Sequence, residues 1–138
     1  MSTMHTSSVE LQMLFCAVAL GVIQLLLAVI GSVSGRGMAW GVGTRDEGWP
    51  ALGKIGGRLE RAWKNFLETF PLFAVAVLLG NALDKHTANS ALGAHIYIWA
   101  RLLYVPAYVL AIPFTRTLIW AASLVGIVMV LVAIWPGL

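Results

Sequence analysis

Apolar residues in this chain gather into four long runs, at about 11–33, 66–83, 91–112 and 117–135, separated by short polar connections. Each run is close to the roughly 17 to 25 residues that cross a bilayer as a helix. The pattern predicts an all-α membrane protein, a four-transmembrane-helix bundle, in which residues 1–138 form one domain. The second helix should begin in water near Arg58 and enter the membrane over about 62–83. From Arg58 to Leu83 it would measure about 39 Å at about 1.5 Å per residue, longer than the roughly 30 Å hydrocarbon core. Its inner end should therefore protrude or tilt. Pro71 and Pro106 fall inside helices two and three, where each removes a backbone hydrogen bond and bends its helix, as membrane bundles tolerate.

Composition narrows the class further. With 59% hydrophobic and 11% charged residues, against roughly 25% charged in soluble domains, the chain has too few charges to clothe a soluble globule. The same hydrophobicity excludes intrinsic disorder. Net charge is +3, which in a soluble protein would suggest nucleic acid; here the basic residues are topology signals first. Arg36, Arg45, Lys54, Arg58, Arg61 and Lys64 stand against Asp46, Glu47 and Glu60 between Gly35 and Asn65, and this stretch carries the whole net charge. The loop at about 35–60 is thereby expected in the cytoplasm, with both termini outside and no nucleic-acid partner. Met1 to Ser8 carries no Lys or Arg, and the run after it is longer than a signal-peptide core, so it reads as a retained first span. Cys16 is the single cysteine, and His5, His86 and His95 are too scattered for a metal site. Asp46 and Glu47 are expected to cap a local turn rather than act as acid or base.

The ionisable residues inside the spans carry the candidate chemistry. Arg58, Arg61, Asn65 and Glu68 are spaced three, four and three apart and fall within about an 80° arc, one stripe on one helix face. Arg101, Tyr104 and Tyr108 repeat three and four on the third helix. An ionisable side chain deep in a bilayer faces a partner or a watery cavity, so Glu68 and Arg101 are expected to pair. Helices two and three run in opposite directions, which brings both stripes to the cytoplasmic side as a cleft rich in guanidinium groups. Such a cleft suits a small ligand with several carboxylates. Blander readings stand beside this one. Glu68 and Arg101 would also serve as a structural ion pair that sets helix register, though the neighbouring stripe favours a pair that shapes a ligand site as well. Arg58, Arg61 and Lys64 fit snorkelling at a helix end, and Tyr104 and Tyr108 fit an interfacial aromatic belt. Trp99, Trp120 and Trp135 read as membrane anchors or packing.

The segments RLERAWKNFLETFP, Arg58 to Pro71, and ARLLYVPAY, Ala100 to Tyr108, resemble the MAPEG family, the membrane-associated proteins of eicosanoid and glutathione metabolism. The likeness extends over nearly the whole chain and includes the microsomal glutathione S-transferases; TRDEGWP, Thr44 to Pro50, and IPFTRTLIW, Ile112 to Trp120, look like the bacterial branch. The resemblance implies a homotrimer in the bacterial inner membrane, with glutathione as cosubstrate between neighbouring subunits near the cytoplasmic leaflet. It assigns Arg36, Arg61, Asn65, Glu68, Tyr104 and Tyr108 to glutathione binding and Arg101 to a buried position beside Glu68. Arg116 matches the arginine that activates the thiol, with Tyr108 as its neighbour in catalysis. Arginine stays charged at neutral pH, so its part is to stabilise the thiolate.

Two functions follow. The first is a membrane-bound glutathione transferase or peroxidase acting on lipophilic electrophiles or hydroperoxides that arrive through membrane lipids. The second is a non-enzymatic trimeric membrane protein that binds glutathione or another small anion, or scaffolds a partner. A transporter is disfavoured, because there is no inverted repeat and no polar stripe crosses to the outer side.

Overall fold

A computed structural model describes residues 8–44, 46, 48 and 50–135. Arg45, Glu47 and Trp49, and the tail with His5, lie outside the described residues, so the turn expected at Asp46 and Glu47 does too. The described chain is all-α: α1 Val9–Arg36, α2 Met38–Val42, α3 Lys54–Ala82, α4 Ala88–Val109 and α5 Thr115–Ile134. By length and apolar composition α1, α3 and α5 each qualify as a membrane span, which makes this an integral, multi-spanning membrane protein. Large apolar side chains such as Val22, Ile23, Leu26 and Ile30 point outward along α1, as a lipid-facing surface requires.

Local chemistry sets the ends. Ser8 caps α1 by accepting from the Leu11 amide at 3.3 Å. Thr87 and Ser90 form a reciprocal capping box that starts α4 at Ala88, three residues before the apolar run expected there. α4 ends at Val109 rather than at residue 112, because Leu110 to Phe114 make a reverse turn with Ala111 and Phe114 at φ of 56° and 62°. Left-handed non-glycine residues are costly and persist only where the surroundings impose them. Here they turn the chain straight back into α5.

α3 starts at Lys54, four residues before the strongly helical stretch at Arg58. Gly56 and Gly57 are poor helix formers, but α1 presses against this end. A Cβ on Gly56 would meet the Gly31 carbonyl oxygen at 2.9 Å, so only glycine permits the approach. The same device joins α4 to α5, where a Cβ on Gly93 would lie 2.7 Å from the Gly126 oxygen. Close crossings at small residues are how membrane helices gain packing without a hydrophobic driving force. Around them Ala17, Phe73, Ala76, Ala94, Tyr97 and Val130 form the core, with the Phe73 and Tyr97 rings stacked at 4.0 Å. Pro71 and Pro106 are both accommodated within continuous helices.

Candidate functional site

The arginines of α3 have distinct tasks. Arg58 Nη1 donates to the Val109 carbonyl oxygen at 2.7 Å, satisfying one of the acceptors a helix C-terminus leaves open and tying α4 to α3. Three residues on, Arg61 Nε donates to the Tyr108 hydroxyl at 3.1 Å. The α4–α5 reverse turn returns Arg116 to the same place: its guanidinium lies 4.9 Å from the centre of the Tyr108 ring. Tyr108 thus has two cations against it, and its ring packs at 5.6 Å on that of Tyr104. Tyr104, Tyr108, Arg116, Thr117 and Trp120 line a cleft of about 280 Å³.

Deeper in the bundle lies Arg101, only 1% exposed. Its Nη1 donates to Asn65 Oδ1 at 2.6 Å and its Nη2 to Ser123 Oγ at 2.7 Å. The guanidinium also sits 5.2 Å from the Tyr104 ring and 5.8 Å from that of Tyr97. The expected direct ion pair with Glu68 is not formed within the chain. Asn65 stands between the two, its Nδ2 donating to Glu68 Oε2 at 3.3 Å. Glu68 is three residues beyond Asn65, a net rotation of about 60° at about 100° per residue, which carries its carboxylate out of the bundle to an exposed position.

Arg36 is set apart from this group within one chain. It bonds Ser32 Oγ and the Pro50 carbonyl oxygen, each at 3.1 Å, pairs with Glu60 at 3.4 Å and covers the Trp40 ring at 4.8 Å. Lys64 shares Glu60, also at 3.4 Å.

The arrangement offers Arg61 and Arg116 as hydrogen-bond donors to an anion, Glu68 as an exposed acceptor, and a phenol between the cations. The model of the MAPEG family matches residues 13–135, which include every one of these side chains. The chain belongs to the MAPEG family. Membership implies, at the level of the family, a glutathione-related membrane enzyme function for this MAPEG chain. No curated protein and no solved structure matches it.

Two parts of this MAPEG fold escaped the sequence reading. Ser123, fully buried on α5, holds Arg101; a hydroxyl inside the last apolar run was the available signal. At the opposite end of the bundle, the buried Glu10 carboxylate accepts from Ser90 Oγ and lies 3.4 Å from His86 Nδ1. His86 therefore belongs to an inter-helix contact, and among the described residues no group of His, Cys, Asp or Glu forms a metal site.

Proposed function

We propose that the protein is a membrane-bound glutathione transferase or peroxidase of the bacterial branch, acting as a homotrimer on lipophilic electrophiles or hydroperoxides. All four long helices, α4 included, cross the inner membrane, with both termini outside and the basic loop in the cytoplasm. The observation that carries the reading is the exposure of Glu68 midway along α3, on the same end of the bundle as Arg61, Tyr108 and Arg116. A carboxylate bare to lipid at that depth costs a few kcal/mol, so a neighbouring subunit and a polar ligand must cover it. Glutathione has two carboxylates, one ammonium group and a thiol, and the residues present fit each kind of group.

In this reading Arg61 and Asn65 hold carboxylate and amide oxygens, and Glu68 takes the ammonium group. Arg36 of one subunit reaches a carboxylate at the neighbour's site, which accounts for its separation from Arg61 within one chain. Tyr104 and Tyr108 form the wall of the cleft. The bound peptide supplies the nucleophilic sulfur. Arg116 stabilises its thiolate form electrostatically, since a cation beside a thiol favours the anion, and the Tyr108 hydroxyl donates to the same charge. The apolar cosubstrate enters from the bilayer.

The test is glutathione binding to the purified protein in detergent, beside an Arg61→Ala variant. We expect binding by the parent and a loss of about tenfold or more in the variant, the worth of a charged hydrogen-bond donor. No binding by either protein, or equal binding by both, would sink the reading. Binding without thiolate absorbance near neutral pH, and without conjugation of a chromogenic electrophile, would instead favour the non-enzymatic binder.

A further inference from the structure

The bonds around Arg101 leave no freedom in their direction. A guanidinium has only donors, so Asn65 must present its oxygen to Arg101, and the 2.6 Å contact is Nη1 to Oδ1. The Asn65 amino group is thereby turned to Glu68 Oε2 at 3.3 Å. Reversing the amide would oppose donor to donor at one end and acceptor to acceptor at the other. On the far side, Ser123 donates its single proton to the Trp120 carbonyl oxygen at 2.6 Å, which leaves its oxygen lone pairs to accept from Arg101 Nη2 at 2.7 Å. Among the described residues Arg101 Nε has no hydrogen-bond partner, so two hydrogen bonds define the plane of the guanidinium. One of them ends on Ser123, which is fully buried, whereas Glu68 is exposed.

We propose that Ser123 is a positioning residue: acting through Arg101 and Asn65, it holds the Glu68 carboxylate in the orientation that recognises an ammonium group on the ligand. The relay crosses from α5 through α4 to α3. It makes the specificity of an exposed residue depend on a hydroxyl that never meets the ligand. Without that hydroxyl, Arg101 keeps its charge and its contact with the Tyr104 ring but loses one of the two bonds that fix its plane. The Asn65 amide then turns more freely, and Glu68 is no longer held to one direction. Ammonium recognition should suffer while carboxylate recognition by Arg61, which is bonded to Tyr108 on α4, should not. The ligand side of this inference rests on the glutathione reading above; the relay itself does not.

Two measurements on the full-length protein in detergent separate them. The first compares binding of glutathione and of its deaminated analogue, which lacks the ammonium group, in the parent, Ser123→Ala and Ser123→Thr. We expect Ser123→Ala to weaken glutathione by about fivefold, the scale of one hydrogen bond, and to weaken the analogue distinctly less, since the two ligands share only the Asn65 contact with the relay. Ser123→Thr, which keeps the hydroxyl, should restore glutathione binding. Equal losses for both ligands, or no loss for either, would overturn the proposal. The second measurement needs no ligand: the side-chain amide protons of Asn65 are followed by NMR, assigned by their absence in Asn65→Asp. Ser123→Ala and Glu68→Gln should both shift them. A shift in a protein that does not bind glutathione would retain the relay and reject the glutathione reading; no shift with Ser123→Ala would reject the relay whatever binds.

Discussion

Arg61 on α3 donates to the hydroxyl of Tyr108 on α4 across 3.1 Å, joining two polar stripes that lie 47 residues apart in the chain. The same phenol ring carries the guanidinium of Arg116, so Arg61 and Arg116 meet on one side chain.

A double-mutant cycle of Arg61→Ala and Tyr108→Phe should therefore be non-additive for glutathione binding. Residues in direct contact couple by about 0.5 kcal/mol or more, which is about a twofold difference in affinity. Strict additivity, read by calorimetric titration of the parent, both single variants and the double variant, would place the two residues in separate roles.

Arg116 should act on turnover rather than on binding. Removing a charge that stabilises a developing anion typically costs about 100-fold in kcat, so Arg116→Ala should lower kcat for conjugation on that scale with little change in KM. Arg116→Lys should recover part of the rate. Steady-state kinetics with a chromogenic electrophile decide the matter, and a raised KM at unchanged kcat would make Arg116 a binding residue only.

Gly56 should be intolerant of a side chain. An added Cβ would meet the backbone oxygen of Gly31 at 2.9 Å, and overpacking of this kind costs about 1–3 kcal/mol. Gly56→Ala should lower the thermal unfolding midpoint in detergent, whereas Gly48→Ala, where none of the described residues lies within 4 Å, should leave it unchanged. Equal midpoints for the two variants would show that α1 and α3 do not need this approach.

At the end of the bundle opposite Arg61 and Tyr108, Glu10→Ala should loosen the attachment of α1 to α4. It removes the charged acceptor of Ser90 Oγ, whose proton can then turn to the Thr87 carbonyl oxygen at 2.9 Å, so the cost is at most that of the lost charged hydrogen bond, about 1.5–3 kcal/mol. His86→Ala should cost less, because the imidazole is 33% exposed and water can replace it. Thermal unfolding of both variants measures the order, and a larger loss for His86→Ala would reverse the assignment of weight.

Much of this site was legible in one dimension. Arg61, Asn65 and Glu68 share a stripe because helical periodicity alone puts residues three and four apart on one face. Ser123 was not legible in the same way: one hydroxyl among apolar residues signals a partner without naming it. Glu68 and Arg101 are linked through Asn65 rather than directly. Spacing places both residues near one interface, but whether they touch depends on the rotation of each helix about its axis, and that rotation put Asn65 on the line between them.

Hydropathy and helical period are properties of neighbouring residues, and they suffice for the long helices, the basic stretch that carries the net charge, and the polar stripe of α3. The partners of these side chains depend on packing across the bundle. Asn65 is 36 residues from Arg101, Ser123 is 22 from it, and Glu10 is 80 from Ser90. Those contacts are fixed by how closely glycines let helices approach, and by the left-handed turn at Ala111 and Phe114 that returns Arg116 to Tyr108. Neither has a signature in local periodicity, because both arise from backbone surfaces meeting across the bundle.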